Sequence, residues 1–240
     1  MIKASSLTKI YRKGDQSVIV LDKVDFKISA GEFVMVLGES GTGKTTLLNF
    51  IGALDRPDKG EIVVEGVGDI LKIKDSELSK YRNKVVGHIF QTFNLKPTYT
   101  ARENVRVPLL FSKMSKSEQN SRIDEALDSV GLLHRKSYRP IELSEGQCQR
   151  VAIARAIVNK PKILLADEPT GNLDPKTAES IMKLLIELNQ NSKMTLLMVT
   201  HDLDVLKHAH KVLILADGKL GEDGDEYWRT KMQRGAGERK

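Results

Sequence analysis

Short apolar runs alternate with stretches of helical periodicity along most of this chain. Apolar runs bounded by turn residues predict strands at 32–38, 60–66, 162–167, 195–200 and 211–215. Apolar residues at helical spacing follow Lys44 (Leu47, Leu48, Ile51 and Leu54) and form one face of a helix over 176–190. Because short continuous apolar strands separated by helices are typical of a parallel sheet covered on both faces, the pattern predicts an α/β fold.

The middle of the chain interrupts this α/β pattern. Residues 100–160 are more polar and follow helical spacing, as in 117–133. We therefore expect one domain over 1–221, with a core of 1–91 and 161–221, an inserted helical subdomain over 92–160, and a basic tail over 222–240.

Composition restricts the class of protein. Apolar runs such as 33–37 are far shorter than the ~18–20 residues that a membrane-spanning helix needs, and the first residues lack the apolar centre of a signal peptide. One cysteine, Cys148, excludes an internal disulfide and suits a reducing cytoplasm. The net charge of +6 is spread along the chain, so we interpret it as a solvated basic surface, and we expect no specific nucleic acid partner.

The segment GESGTGKT (38–45) follows a predicted strand, opens a predicted helix and fits the pattern G-x-x-x-x-G-K-[ST]. Glycines allow successive backbone N–H groups to turn toward one anion. Lys44 supplies charge for β- and γ-phosphates, Thr45 can bind Mg²⁺, and Thr46 can reach an α-phosphate oxygen. ATP or GTP binding follows, with the candidate residues Gly38, Glu39, Ser40, Gly41, Thr42, Gly43, Lys44, Thr45 and Thr46.

Acidic residues end a later predicted strand. Asp167 can hold Mg²⁺ through water, and Glu168 can orient or deprotonate an attacking water. Alone, Asp-Glu-Pro would be an ordinary helix-start turn; beside a phosphate loop the catalytic interpretation is favoured. His201 follows the predicted strand 195–200, at the edge where open α/β sheets bind ligands. A single histidine there is often structural, and our expectation that it contacts the γ-phosphate rests mainly on the family resemblance given below.

A second anion site is predicted at LSEGQCQR (143–150). Ser144 is a good N-cap, and Gln147 completes a Ser-x-x-Gln capping box. Gly146 allows close approach to the backbone at the positive end of the helix.

Together these segments resemble the ATPase subunits of ABC transporters over about residues 1–220. LSEGQ resembles the family's signature sequence, GNLD (171–174) its D-loop and THD (200–202) its switch histidine. Gln91 in IFQTFNL matches the Q-loop, and Tyr11 takes the place of the aromatic residue that stacks on adenine. The resemblance implies a P-loop NTPase fold of the ABC type, with a RecA-like parallel-sheet core, an N-terminal antiparallel β subdomain and an inserted helical signature subdomain.

The resemblance also implies a shared reaction centre. Two copies, or one copy and a paralogue, would associate head to tail, and each ATP would lie between the phosphate loop of one and the signature helix of the other. The residues that serve the nucleotide of the other copy would then be Ser144, Gly146, Gln147 and Asp174. Gln91 would join Glu168 and His201 in catalysis, and Thr45, Gln91 and Asp167 would hold Mg²⁺.

Three positions depart from the family's pattern. Glu145 replaces one of two usual glycines, which is either a tolerated variant that favours the helix start or a repulsive charge that gives a slow or asymmetric ATPase. We favour the tolerated variant. Glu39 stands where many relatives have proline, and its side chain is expected to point outward. Cys148 is interpreted as inert.

The segments 76–111 and 139–174 resemble most closely the lipoprotein-releasing ATPases, and also those of macrolide and antimicrobial-peptide exporters and of cell division. This implies a peripheral protein at the cytoplasmic face of the membrane with an integral membrane permease. The permease would dock on the segment from Thr92 to Val105, unless these residues only pack the helical subdomain. The alternative function is a non-transport ABC ATPase that acts in cell division or on nucleic acid.

Overall fold

The computed structural model describes residues 1–14, 16–110, 112–202 and 205–222. Apart from Glu222, the expected basic tail lies outside the described residues. The strands of the described residues are β1 (Ile2–Lys13), β2 (Gln16–Ile28), β3 (Phe33–Leu37), β4 (Lys59–Val64), β5 (Gly68–Asp69), β6 (Val86–Ile89), β7 (Ile163–Asp167), β8 (Thr195–Thr200), β9 (Lys211–Ala216) and β10 (Lys219–Glu222). The α-helices are α1 (Lys44–Ile51), α2 (Asp75–Lys84), α3 (Ala101–Arg106), α4 (Lys116–Ser129), α5 (Glu145–Ile157) and α6 (Pro175–Ser192).

The chain divides into two compact units. The first comprises Met1–Ile73 and the residues from Leu197 onward, and the second comprises Lys74–Leu196. The domain boundaries expected from the sequence follow a different division, at 91 and 161, and stay a prediction.

An antiparallel sheet with the strand order β2-β1-β4-β5 forms much of the first unit. Strand β1 pairs antiparallel with both β2 and β4. Every second residue at the start of β1 is buried, as are alternating residues at the end of β2, so one face of this sheet packs into a core. This sheet confirms the expected N-terminal antiparallel β subdomain.

The first unit also contains the strand order β10-β9-β3-β8, with β8 from Leu197 onward. Strand β3 pairs parallel with β9, from Val34 opposite Lys211 to Leu37 opposite Ile214. All five residues of β3 are buried, as expected of a strand covered on both faces. Strand β10 returns antiparallel along β9.

The second unit pairs β6 parallel with β7, from Val86 opposite Ile163 to Ile89 opposite Ala166. Helix α5 packs on β6 and contacts α3, α4 and α6. On α6 the predicted apolar face is confirmed: Ile181 and Leu185 are fully buried and Leu184 nearly so. These two units contain the parallel strands and helices of the predicted α/β fold.

The ends of two predicted helices were wrong. Helix α1 stops at Ile51, because Gly52 caps it and Ala53 takes a left-handed φ of 53°, so Leu54 lies outside the helix and is 48% exposed. The helix expected to reach residue 133 stops at Ser129, before Gly131 with a φ of 73°. Helices α2 and α3 and strand β6 were not predicted.

Candidate functional site

The predicted phosphate loop connects β3 to α1 in the first unit. Gly41 and Gly43 have φ values of 81° and 102°, in the left-handed region that L side chains rarely adopt. A Cβ on Gly43 would also lie 2.5 Å from Val20 Cγ1. Gly43 is the N-cap of α1, so it has no side chain to cap the helix, and the first turn contains no acidic residue. This combination suits the helix start to an external anion.

Lys44 lies across the loop that precedes it. Its ammonium donates hydrogen bonds to the carbonyls of Gly38 at 2.9 Å and Glu39 at 2.8 Å, and the residue is 5% exposed. The Thr42 hydroxyl donates to the Glu39 carbonyl at 2.9 Å. The lysine therefore places a positive charge inside the turn of backbone amides, where it complements a phosphate.

The remaining loop residues differ in exposure. Thr42 and Thr46 are half-buried, and the exposed ones are Glu39, Ser40, Gly41 and Thr45. The exposure of Glu39 agrees with the expectation that its side chain points outward.

Tyr11 lies on β1 with 46% of its surface exposed, so its ring is accessible for stacking. Its hydroxyl donates to Asp55 Oδ2 at 3.2 Å, and Lys9 Nζ lies 5.2 Å from the ring centroid. Partial burial by itself would raise the pKa of Asp55, but hydrogen bonds from the Arg56 amide, Lys9 and Tyr11 hold that pKa below its ordinary value. The ionised carboxylate thus fixes the phenol ring.

His201 follows the last residue of β8, which neighbours β3 in its sheet. It is exposed, and the next residue, Asp202, donates its amide to the Thr200 hydroxyl at 3.0 Å. Thr200 is buried, so the backbone around the histidine is anchored to the strand end.

Asp167 and Glu168 lie at the end of β7 in the second unit. Asp167 is 7% exposed, whereas Glu168 is half-buried and has a φ of 42°. A left-handed conformation costs a non-glycine residue roughly 1–2 kcal/mol, so the surroundings must hold it. The Gly171 amide closes the turn by donating to the Glu168 carbonyl at 3.1 Å.

Gln149 was not predicted as part of the site, yet it contacts this turn. It is fully buried in α5 and its Nε2 donates to the Pro169 carbonyl at 2.7 Å. Its Oε1 has no hydrogen-bond partner among the described residues. The feature of the sequence that could have pointed to Gln149 is its amide side chain, which lies between the capping box and the apolar residues of α5.

The segment around Gln91 is exposed and follows β6. The Gln91 carbonyl accepts from Asn172 Nδ2 at 3.4 Å. Arg155 of α5 donates to the carbonyls of Phe93 at 2.8 Å and Asn94 at 2.6 Å. The second unit thus brings the Gln91 segment, the turn after β7 and α5 together.

The capping box at the start of α5 is confirmed. The Gln147 amide donates to Ser144 Oγ at 3.4 Å, and the Ser144 amide donates to Gln147 Oε1 at 3.0 Å. Ser144 and Glu145 are exposed. Burial, and then Glu145, raise the pKa of the Cys148 thiol, which agrees with an inert cysteine.

Gly146 has an additional role that the sequence did not reveal. A Cβ there would lie closer than 3.0 Å to the Thr177 Cγ2 methyl of α6. The Thr177 amide donates to Asp174 Oδ1, the N-cap of α6, at 3.1 Å. Hydrogen bonds from Thr177, side chain first, lower the pKa of Asp174. Thr177 therefore joins the signature segment to the segment that ends at Asp174.

Asn104 shapes the segment between Thr92 and Val105 and was also missed. It is fully buried; its Oδ1 accepts from the Lys96 amide at 2.8 Å, and its Nδ2 donates to the carbonyls of Lys96, Tyr99 and Thr100 at 3.1–3.2 Å. The braced loop displays Tyr99 with 38% of its surface exposed.

The candidate magnesium ligands are hydroxyl, amide and carboxylate oxygens, the donor types that Mg²⁺ prefers. Thr45 belongs to the first unit, and Gln91 and Asp167 to the second. Within residues 1–222, as far as they are described, no group of three or more His, Cys, Asp or Glu could hold a metal. The donor set fits an ion that is held by one or two protein groups, phosphates and water.

Over the same residues, none of the helices has both the length and the apolar character to cross a membrane.

Comparisons with known proteins agree with these local features. A family model described as "ABC transporter" matches residues 21–171. The uncharacterized ABC transporter ATP-binding protein YvrO of Bacillus subtilis is 47% identical over 94% of this chain and 98% of its own length. The dimeric, post-hydrolysis structure of the ATP-binding cassette MJ0796 of Methanocaldococcus jannaschii, bound to ADP and Pi, has a TM-score of 0.85 and 42% identity over 93% of this chain and 98% of that one. The structure of cbiO1 from Clostridium perfringens, part of the ABC transporter complex cbiONQ, has a TM-score of 0.82 and 29% identity over 99% of this chain and 94% of that one.

Proposed function

Because this chain belongs to the ABC transporter family as an ATP-hydrolysing subunit, we propose that it powers a membrane partner in lipoprotein release or in the efflux of drugs or peptides. The observation that carries the proposal is the phosphate loop. Its left-handed glycines precede α1, whose N-cap residue Gly43 has no side chain to cover the helix start, and the buried Lys44 is the first residue of that helix. Backbone N–H groups of 38–46 and the Lys44 charge bind the phosphates of ATP. Tyr11 stacks on the adenine.

The roles of the remaining residues follow from their chemistry. Glu168 orients the attacking water and accepts its proton, and His201 donates to the γ-phosphate. Thr45 and Gln91 would hold Mg²⁺ directly and Asp167 would hold it through water; when bound, the ion would supply positive charge beside the phosphates. Gln91 also takes part in catalysis.

Two copies of the chain share each nucleotide in this proposal. Ser144 Oγ and the Gly146 N–H, with Gln147 and Asp174 beside them, face the ATP of the other copy, and the α5 dipole favours its γ-phosphate. The dimeric MJ0796 cassette supports this arrangement. ATP that bridges two copies binds only their closed form, so it shifts the equilibrium toward closure, and hydrolysis reverses the shift. A heterodimer with a paralogue is the alternative assembly.

A membrane permease docks on the loop between Thr92 and Val105 and holds the protein at the cytoplasmic face of the membrane. The loop braced by Asn104, with its exposed Tyr99, supports this surface. That cbiO1 is part of the cbiONQ complex agrees with it. In this view 1–221 works as one domain, with 92–160 as the helical subdomain and 222–240 as a basic tail.

The choice of transport branch rests on the resemblance of 76–111 and 139–174 to lipoprotein-releasing and exporter ATPases. The competing function is a non-transport ATPase in cell division or on nucleic acid, which the net charge of +6 would suit. Binding to DNA or RNA that survives physiological salt would favour that function.

The chemistry is tested with Glu168→Gln. We expect the variant to bind ATP normally and to hydrolyse it about 10²–10⁴-fold more slowly, because the general base is lost. With Mg²⁺ and ATP it should elute as a dimer in size-exclusion chromatography with light scattering. Wild-type turnover in this variant would show that Glu168 is not the catalytic base.

The partnership is tested by coexpression with the membrane protein encoded beside this chain. Copurification and a change in ATPase activity are expected, and Tyr99→Ala should weaken copurification without changing the ATPase activity of the isolated chain. A chain that stays unbound with unchanged activity contradicts the transport function.

A further inference from the structure

The buried side chain of Gln149 connects α5 to the turn that carries Glu168. Gln149 is fully buried, and its Nε2 lies 2.7 Å from the Pro169 carbonyl oxygen. Pro169 directly follows Glu168, so the hydrogen bond holds the peptide group one residue beyond the proposed catalytic carboxylate.

Glu168 needs such support, because its backbone is in a conformation that its sequence disfavours. Its φ of 42° is left-handed, and the residue precedes a proline, which restricts its backbone further. The Gly171 amide donates to the Glu168 carbonyl at 3.1 Å. The carbonyl of the next residue, Pro169, is held by the Gln149 side chain. A strained residue persists only where several contacts determine it together.

Helix α5 is a suitable frame for this contact. Arg150 donates to the Val130 carbonyl at 2.9 Å and to Ser180 Oγ at 2.7 Å. Arg155 holds the carbonyls of Phe93 and Asn94. Because these contacts hold α5 directly after Gln149 and again five residues further along the helix, a hydrogen bond from Gln149 fixes the turn to the helix.

We propose that Gln149 is a positioning residue that holds the Glu168 carboxylate in its catalytic orientation by anchoring the Pro169 peptide group to α5. The inference rests on the proposed function of Glu168 as the base for the attacking water. Ser144, at the N-terminus of the same helix, lies about 7.5 Å along the axis from Gln149. The helix end that serves the other copy's ATP and the base of this copy are therefore attached to one rigid element.

The Oε1 atom of Gln149 allows a positioning role to be distinguished from a contribution to the stability of the fold. The amide makes one hydrogen bond and buries one acceptor that has no partner among the described residues. Since a buried unpaired acceptor is unfavourable, the two effects oppose each other in the stability of the fold. An unbranched apolar side chain of similar length would remove Oε1 together with the hydrogen bond, and would take the Gln149 donor away from the Pro169 carbonyl. One unfavourable acceptor is then exchanged for another, so the net change in stability should be small.

Gln149→Met provides the test in the full-length chain. We expect kcat for ATP hydrolysis to fall about three- to tenfold, the effect of one neutral hydrogen bond. The KM for ATP should change less than about twofold, and the urea midpoint of unfolding should stay close to that of the wild type. Should this variant not fold, Gln149→Asn keeps an amide that is too short to reach Pro169 and gives the same kcat test.

Asn189→Leu is the matched control. Asn189 is also a buried amide that donates to a backbone carbonyl, that of Met194 at 2.5 Å, where α6 leads into β8. It has no role in the proposed chemistry, so this variant should lower the urea midpoint and leave kcat unchanged. If the Gln149 variants behave as this control does, Gln149 is structural and the inference is wrong.

A double-mutant cycle decides whether Gln149 acts through Glu168. In a Glu168→Gln background, Gln149→Met should cause no further loss of the residual hydrolysis rate, because the carboxylate that it positions is absent. The same fold-loss in both backgrounds would overturn the inference. Wild-type turnover by Glu168→Gln alone would instead overturn the proposed function, so the two failures are distinguishable.

Discussion

Replacing Gly146 by alanine should destabilise the protein in one background and stabilise it in another. A Cβ on Gly146 would lie closer than 3.0 Å to the Thr177 Cγ2 methyl, whereas ordinary contact begins at 3.4 Å. Its distances to Thr177 Cβ and Oγ1 would be ordinary, at 3.7 and 3.9 Å. One methyl group therefore causes the conflict, and Thr177→Ser removes that methyl while keeping the hydroxyl.

Gly146→Ala has two opposing effects on the free energy of unfolding: the conflict with Thr177 lowers it, and the helix preference of alanine raises it. Their magnitudes decide which one is observed. Forcing a methyl into packed space costs about 1–3 kcal/mol, while alanine is favoured over glycine inside a helix by up to about 1 kcal/mol. In the wild-type background the conflict outweighs the helix preference, and Gly146→Ala should lower the free energy of unfolding by about 1–2 kcal/mol. In the Thr177→Ser background only the helix preference remains, so the same change should raise it by up to about 1 kcal/mol.

Urea unfolding of the four proteins in this cycle measures both effects. An equal loss of stability in both backgrounds would refute the packing explanation. ATPase activity then shows whether the glycine is needed for packing or for the approach of a nucleotide. If the double variant recovers wild-type ATPase activity, the glycine is needed only to avoid the Thr177 methyl. Stable folding with persistently low activity means that a nucleotide also needs the space beside the Gly146 backbone.

Lys44→Ala should weaken ATP binding about ten- to a hundredfold in an equilibrium titration, because charge-assisted hydrogen bonds to the phosphates are lost; unchanged affinity would contradict the phosphate loop. Burial lowers the pKa of His88 from 6.5 to about 4. Between these values the unfolded chain binds more protons, so this residue reduces stability as pH falls. From pH 7 to 4.5 the wild type should lose about 2–3 kcal/mol more than His88→Gln in urea unfolding; parallel losses would refute the assignment.

Strands were predictable where burial on both faces makes the sequence uniformly apolar. Strand β3 and strand β7 are buried at every position, and the sequence located both to within a residue or two. Strands β1 and β2 contain many exposed residues and shifts of register, so no continuous apolar run marked their ends. Helix α3 is too short, at six residues, for periodicity to reveal it.

The site was predictable where its geometry is local. The glycine conformations of the phosphate loop and the capping box at Ser144 depend on residues close in sequence, and the structure has both. The contacts of Gln149 and Asn104 could not be inferred in this way. Gln149 reaches a carbonyl 20 residues away. Asn104 contacts residues only four to eight positions before it, but they lie in an irregular loop whose path no short motif specifies. Such partners are determined by packing, which a single sequence does not display.

Packing also explains why one signature glycine is replaced and the other kept. The Gly146 Cβ position lies against Thr177, so any larger residue there must displace α6 or its side chain. Residue 145 is exposed in the first turn of α5, where a carboxylate is favoured by the helix dipole. Glu145 therefore suits the start of the helix, and its charge is the property that we expect to affect ATP hydrolysis. Such an effect should weaken as salt rises, since exposed charges are screened within about 10 Å at 0.1 M.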